Sequence, residues 1–394
     1  MTRQIPKDVI SRDPVTLIDY RDYDLIHAHY LLGYEAGDKI RLNLQKKLKG
    51  FSLREIQSKL NLVKKCRLFI EEKIRRQHDK TVCVALDQYL NCLDSWTEGA
   101  RLQNFNLPKL ESGSYVPSDL GFLLQMEETG CQIGAYRTQN GGVFLWHTEE
   151  ELDHSRFDKL RIASFRLSQA SRTKEIFSFI YPDLLPGPAF GWVHDSRSVF
   201  VQAVASLPIR LNLQNAMIAN IATWIILFHG NEIGGERIIN EIGPFMDGYA
   251  IMTASTVKGV INASRVEFAH NLIVNQPLGD LPGTSIYQTN AFSEFSRHAF
   301  TKIHAIKPRY SRLYYQRAIR NSKTLSKIEN NPSNDTFSSF YQLICSEEGK
   351  EFAYANVDVM GHFLCFFSPS VVQIKVGPGS ARWETMDQLL SFSY

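Results

Sequence analysis

The sequence predicts a layered α+β fold on three observations. Apolar residues recur at helical spacing from Asp24 to Arg101, a hairpin signal follows at residues 131–149, and the later strand patterns come in groups that do not alternate strictly with helices. Strict alternation would favour a doubly wound parallel sheet, whereas grouped strands and helices favour separate layers. The chain has 394 residues, with 44 Lys+Arg against 41 Asp+Glu, and 44% of it is hydrophobic. The near-neutral balance excludes a polyanion-binding tail or an acidic disordered chain as the main theme and points to a folded, soluble protein. The length permits two or three domains or one large layered unit.

Taken in order, the opening MTRQIPKDVISRDP has no apolar run of signal-peptide length and carries acids early, so no secretory or transit segment is expected. From Asp24 to Gln77 the pattern is helical: Ser52-Leu53-Arg54-Glu55 reads as a capping box, and Leu53, Ile56, Leu60, Val63, Ile70 and Ile74 form one apolar stripe. Lys59, Lys64, Lys65, Arg67, Lys73, Arg75 and Arg76 line that segment, but Glu55, Glu71 and Glu72 are mixed among them, so a solvated face is expected and not a nucleic-acid surface. A second helix is predicted over Val84–Arg101, then a loop over Asn106–Gly121. Residues 131–149 read as two strands around Asn140-Gly141, with Cys131 opening the hairpin.

Further strands are predicted over Ser198–Ser206, Gly248–Ala254, Gly259–Phe268, Gly361–Phe367 and Val371–Val376, with helices over Asn212–Phe228 and Ile233–Ile242. The stretch Ala216–Phe228 is too short for a bilayer, which needs ~20 apolar residues, and reads as a buried helix. Six cysteines at 66, 83, 92, 131, 345 and 365 contain no C-x-x-C pair, which argues against a zinc ribbon or thioredoxin motif and suits a reducing, cytoplasmic setting. His27-x-His29 and His298 with His304 lack a third ligand at metal-site spacing, and no cofactor motif is present.

Several short segments resemble the acyl-coenzyme A:6-aminopenicillanic acid acyltransferase family, a branch of the N-terminal-nucleophile (Ntn) hydrolases related to choloylglycine hydrolases. Tyr30–Gly37 resembles the family's helix with tyrosine and two glycines, and Leu93–Ala100 its E-G-x-A segment. Gly130-Cys131 is similar to the processing site, Tyr287–Phe292 to a T-N-H-F segment, and Tyr310-Ser311-Arg312 to a Ser-Arg element. The resemblance implies a four-layer αββα sandwich in which the Gly130–Cys131 bond is cut by Cys131 itself, giving an N-terminal helical segment 1–130 and a nucleophile-bearing core 131–394. It implies Cys131 as nucleophile and, through its freed α-amino group, as base; Asn290 in the oxyanion site; Ser311 assisting the acyl step; and Glu149 with Arg312 orienting.

The expected reaction is hydrolysis or transfer of a linear amide or acyl thioester. Its partners are a small-molecule amide or an acyl-coenzyme A, with coenzyme A entering as substrate and not as cofactor. The chain departs from the family pattern at Gln132, where a small residue is usual, and at His147-Thr148-Glu149, where the family has Asn-x-Asp; Trp192–Ser196 likewise replaces an N-x-x-G segment. These departures motivate an alternative, an unprocessed relative that binds without catalysis. A papain-like pairing of Cys131 with His147, His154 or His194 needs an imidazole beside the thiol, which no spacing supplies. The aromatic, proline-rich loop Tyr181–Trp192 is expected to wall an acyl pocket.

Overall fold

The computed structural model describes residues 15–76, 79–105, 115–126, 130–151, 160–169, 172–207, 217–257, 259–288, 358–378 and 386–393. The segment from Leu25 to Leu124 is largely helical where described because its caps and stripes are local. Helix α1 (Leu25–Lys49) begins where the Asp24 carboxylate accepts from the His27 amide. Helix α2 (Leu53–Arg76) opens on the expected capping box: the Ser52 amide donates to Glu55 at 2.7 Å and the Glu55 amide to the Ser52 hydroxyl at 3.3 Å. The single helix expected over 24–77 is therefore two, interrupted at Gly50. Helix α3 (Lys80–Gly99) is capped by Asp79. The loop expected over Asn106–Gly121 contains the start of helix α4 (Pro117–Leu124), where Pro117 supplies the first turn and the Asp119 carboxylate accepts from the Val116 amide. The Pro/Ser/Gly composition that suggested a loop is here partly a helix start.

Helices α1 and α3 pack backbone to backbone. A Cβ on Gly33 would lie 2.1 Å from the Trp96 carbonyl oxygen, and one on Gly99 2.0 Å from that of Tyr30. The basic side chains of α2 are largely engaged: Arg67 donates twice to Asp94 and once to Glu71, Arg76 pairs with Glu72, and Lys59 sits over the Phe51 ring.

The strands form two sheets. The first, of eight strands, runs β1 (Val15–Asp19), β4 (Leu160–Gln169), β5 (Arg172–Phe179), β6 (Phe190–His194), β7 (Ser198–Ser206), β8 (Gly248–Val257), β9 (Val260–Ala269) and β10 (Leu272–Pro277). Only β1 and β4 pair in parallel. The first 130 residues thus contribute an edge strand besides their helices. The second sheet, of six, has the order β11 (Ser285–Gln288), β2 (Gly130–Arg137), β3 (Val143–Glu151), β12 (Asp358–Phe367), β13 (Val371–Pro378) and β14 (Asp387–Ser393), all antiparallel. Strands β4, β5, β6, β10, β11 and β14 and the short β1 were not among those predicted, and β6 takes the end of the segment read as the loop Tyr181–Trp192.

Helix α5 (Ala219–Ile233) starts and ends later than expected, and α6 (Gly235–Ile242) follows Gly234. The two polar residues of the apolar stretch make hydrogen bonds: the Asn220 amide donates to the Gln125 carbonyl at 2.7 Å and the Thr223 hydroxyl to the Asn220 carbonyl at 2.9 Å.

Period-two alternation explains the layering. One core joins the helices to the outer face of the eight-stranded sheet through Phe165, Ile176, Val193, Phe200 and Ile251. A second joins the two sheets face to face through Ile133, Leu145, Phe179, Trp192, Phe363 and Ile374. The described residues therefore form an α+β stack of helices, sheet and sheet. No described helix is long and apolar enough to cross a membrane.

His29 of the His27-x-His29 pair is a core residue: Nδ1 bonds the Leu25 carbonyl at 2.7 Å, Nε2 accepts from Trp224, and burial pushes its pKa down to about 4. The unfolded chain, with an ordinary pKa near 6.5, then binds a proton the native state refuses. Stability held above pH 6.5 should fall by on the order of 3 kcal/mol as the pH drops to about 4. Denaturant titrations across this window should show the slope, and His29→Phe should flatten it; an unchanged slope would contradict the assignment.

Candidate active site

The β2–β3 hairpin assembles the site. Five residues, Thr138–Gly142, join its strands; Gly141 has φ +76° and its amide bonds the Thr138 carbonyl. The turn fixes the register, so Cys131 lies opposite Glu149 and Ile133 opposite His147. Directly opposed residues share a face, as do residues two apart along a strand, so Cys131, His147 and Glu149 all face the layer between the sheets.

There they meet. The Cys131 thiol donates to the Glu149 carboxylate, with Sγ 3.5 and 3.4 Å from Oε1 and Oε2. His147 Nε2 lies 2.7 Å from Oε2, and the Tyr181 hydroxyl donates to Oε1. All four side chains are buried. Burial holds His147 neutral, with its pKa pushed down to about 3, and the neighbouring His362 adds to the shift. Glu149 sits where β12 is irregular: the register steps from Val359 opposite Glu150 to Gly361 opposite Glu149, leaving Met360 as an extra residue. Gly361 leaves room there, because a Cβ on it would fall 2.6 Å from Leu160 Cδ1.

The loop from Tyr181 to Ala189 is buried throughout and tied down. The Leu185 amide donates to the Gln125 side chain, the Gly187 amide to Ser178 Oγ, and Gln202 Nε2 donates to the Gly187 carbonyl. Gly187 has φ +113° and lies against the Trp224 backbone, 2.9 Å from where its Cβ would be, so only glycine fits. Tyr181 reaches Glu149, and the Phe190 ring that follows the loop lies 5.2 Å from the His147 ring and 4.7 Å from that of Phe363. The loop therefore forms one aromatic wall of the site.

Of the residues the sequence singled out, the fold brings Cys131 and Glu149 together, with Gly130 preceding Cys131 in β2 opposite Glu150. Asn290, Ser311 and Arg312 lie outside the described residues, as do His154, His298 and His304. Strand β11 ends at Gln288, opposite Ile133. His194 is elsewhere, 3.4 Å from Glu175 and stacked on Phe177, and Asp195 closes the β6–β7 turn by accepting from the Arg197 and Ser198 amides. The expectation that no imidazole stands beside the thiol is overturned: one donor atom each from Cys131, His147 and Glu149 lies within 4.8 Å of the others. A two-residue Asn140-Gly141 turn would have paired Cys131 with Glu150; the five-residue connection Thr138–Gly142 shifts the register by one and brings Glu149 and His147 to the face of Cys131. The Tyr181–Trp192 loop was expected to wall the site, but the bond from Tyr181 to Glu149 had no local signal, because it joins one sheet to the other.

A thiol held against a carboxylate, a neutral imidazole and a phenol can transfer its proton locally while remaining shielded from water. No protein-family model matches the chain, and no curated protein matches it significantly.

Proposed function

We propose that the protein is a self-processing cysteine amidohydrolase or acyltransferase of the Ntn type, similar to the acyl-coenzyme A:6-aminopenicillanic acid acyltransferase family. The observation that carries the reading is the Cys131 thiol, preceded by Gly130 and 3.4 Å from a buried Glu149 carboxylate between two stacked antiparallel sheets. In the processing step the thiol proton passes to Glu149 and Sγ adds to the Gly130 carbonyl carbon. The C–N bond to Cys131 breaks as its nitrogen takes a proton, leaving a thioester between the Gly130 carbonyl and Sγ. Water hydrolyses that ester, freeing the Gly130 carboxylate, the thiol and the Cys131 α-amino group. Glycine before the scissile bond suits the strained approach of a thiol to its own preceding carbonyl.

The freed amine, with an ordinary pKa of about 7.7–8.0, is matched to a thiol of about 8.5, so nucleophile and base become one residue. The thiolate then attacks an amide or thioester, and water or an amine resolves the acyl-enzyme. Asn290 is the proposed oxyanion donor, with Ser311 and Arg312 completing the site. The aromatic wall of Phe179, Tyr181 and Phe190 supports an apolar acyl group as the part of the substrate nearest the thiol.

His147 does not favour a papain-like pair. An imidazole held neutral to about pH 3 is too weak a base to keep a thiol ionised. Complete burial of Cys131 supports the second reading, an unprocessed binding protein, since a substrate cannot meet the thiol without a conformational opening.

Acyl-enzyme trapping separates the two. Acyl-coenzyme A and N-acyl amine panels are incubated with the protein, quenched in acid and digested. The expected result is an acyl mass on the Cys131 peptide, absent in Cys131→Ala; an unmodified thiol with every panel member favours the binding protein.

A further inference from the structure

The Cys131, His147 and Glu149 donors form a set that acyl transfer does not exhaust. We propose that they also constitute a zinc site, in which the Cys131 sulfur, an imidazole nitrogen of His147 and a Glu149 oxygen take three positions of a tetrahedral ion, and that the bound ion holds the thiol out of reaction. The metal binding stands independently of the function proposed above; its inhibitory consequence rests on that reading.

The donor chemistry is that of zinc. A borderline-soft divalent ion takes sulfur, imidazole nitrogen and carboxylate oxygen together, whereas magnesium and calcium take oxygen alone. Three protein donors leave a fourth position for water or another ligand. Zinc–sulfur and zinc–nitrogen or –oxygen lengths of ~2.3 and ~2.0–2.2 Å put tetrahedral donors roughly 3.3–3.6 Å apart. The Cys131 sulfur already sits 3.4 and 3.5 Å from the two Glu149 oxygens. His147 Nε2 and Glu149 Oε2, at 2.7 Å, need open by only about half an ångström.

The scaffold is rigid, because all three donors stand on the two paired strands of one hairpin and not on loops. The Tyr181 hydroxyl donates to Glu149 and orients its carboxylate, the outer support that metal-binding carboxylates ordinarily have. The other imidazole nitrogen, Nδ1, is buried and has no hydrogen-bond partner among the described residues, so no bond there opposes a shift of the proton from Nε2 to Nδ1 when an ion takes the Nε2 lone pair. A sulfur and a carboxylate this close in a buried layer must share a proton, because two adjacent buried anions are costly. A divalent cation replaces that proton, releases it to solvent and neutralises both anions. Sulfur bound to the ion is then unavailable to the Gly130 carbonyl or to a substrate.

The test is a Co²⁺ titration of the full-length, chelator-stripped protein, followed by absorption spectroscopy. One equivalent should develop the strong visible bands of a tetrahedral ion and a near-ultraviolet thiolate-to-cobalt charge-transfer band. Cys131→Ser, nearly isosteric, should lose the charge-transfer band, and Glu149→Gln should bind at least ~10-fold more weakly while circular dichroism shows it folded. No charge-transfer band in the wild type, or one that survives in Cys131→Ser, would overturn the site. For the inhibitory part, stoichiometric Zn²⁺ should stop release of the Cys131 fragment and a chelator should restore it; cleavage that proceeds with the site filled overturns inhibition. A cobalt spectrum in a protein that never cleaves keeps the metal site and removes the processing reading.

Discussion

Glu149→Gln should slow cleavage between Gly130 and Cys131 by ~10²–10⁴-fold, the range general-base contributions span. Among the described residues the carboxylate lies within hydrogen-bonding distance of the Cys131 thiol and can take its proton, while His147 bonds Glu149. Glutamine keeps the length and one acceptor oxygen, so the Tyr181 hydroxyl retains a partner while the base is lost. The measurement is single-turnover appearance of the fragment beginning at Cys131, at neutral pH, beside a thermal melt that shows the variant folded. An unchanged rate would mean that Glu149 is structural and that another group activates the thiol.

The second large effect belongs to the helical layer. Gly99→Ala should cost about 1–3 kcal/mol or more, even though alanine is the better helix former by about 1 kcal/mol. The new Cβ would stand 2.0 Å from the Tyr30 carbonyl oxygen, a backbone atom of the facing helix that cannot rotate aside. The helices must separate, loosening the packing that Arg41 completes by donating to the Ala100 carbonyl at 2.7 Å. Gly33→Ala meets the same obstruction at Trp96, and the double variant should lose less than the two losses added, because one separation relieves both clashes. Urea unfolding monitors all three; midpoints equal to the wild type would contradict close α1–α3 contact.

What the sequence discloses follows from how local each determinant is. The Ser52/Glu55 capping box is readable because donor and acceptor are three residues apart. The hairpin is readable because Asn140-Gly141 marks its turn, but the register is not: the five-residue connection Thr138–Gly142 pairs Cys131 with Glu149, where a two-residue turn would have paired it with Glu150. Without that one-residue shift His147 has no place beside the thiol. The loop that begins at Tyr181 was readable from its aromatic, proline-rich composition, but its bond to Glu149 was not: it spans 32 positions of sequence, through the stacking of two sheets. Strands β4 and β5 carry Arg161, Arg166, Lys174 and Glu175 among their apolar residues, which obscured their pattern. Helix α4 hid behind a Pro/Ser/Gly composition that serves helix starts as well as loops.

The most direct test of the central claim, that Cys131 is a self-processing nucleophile, is intact mass spectrometry of the wild type beside Cys131→Ala after purification at neutral pH. The account predicts that the wild type separates into residues 1–130 and 131–394 while the alanine variant stays whole. Two intact chains, or cleavage that persists without the thiol, would contradict it.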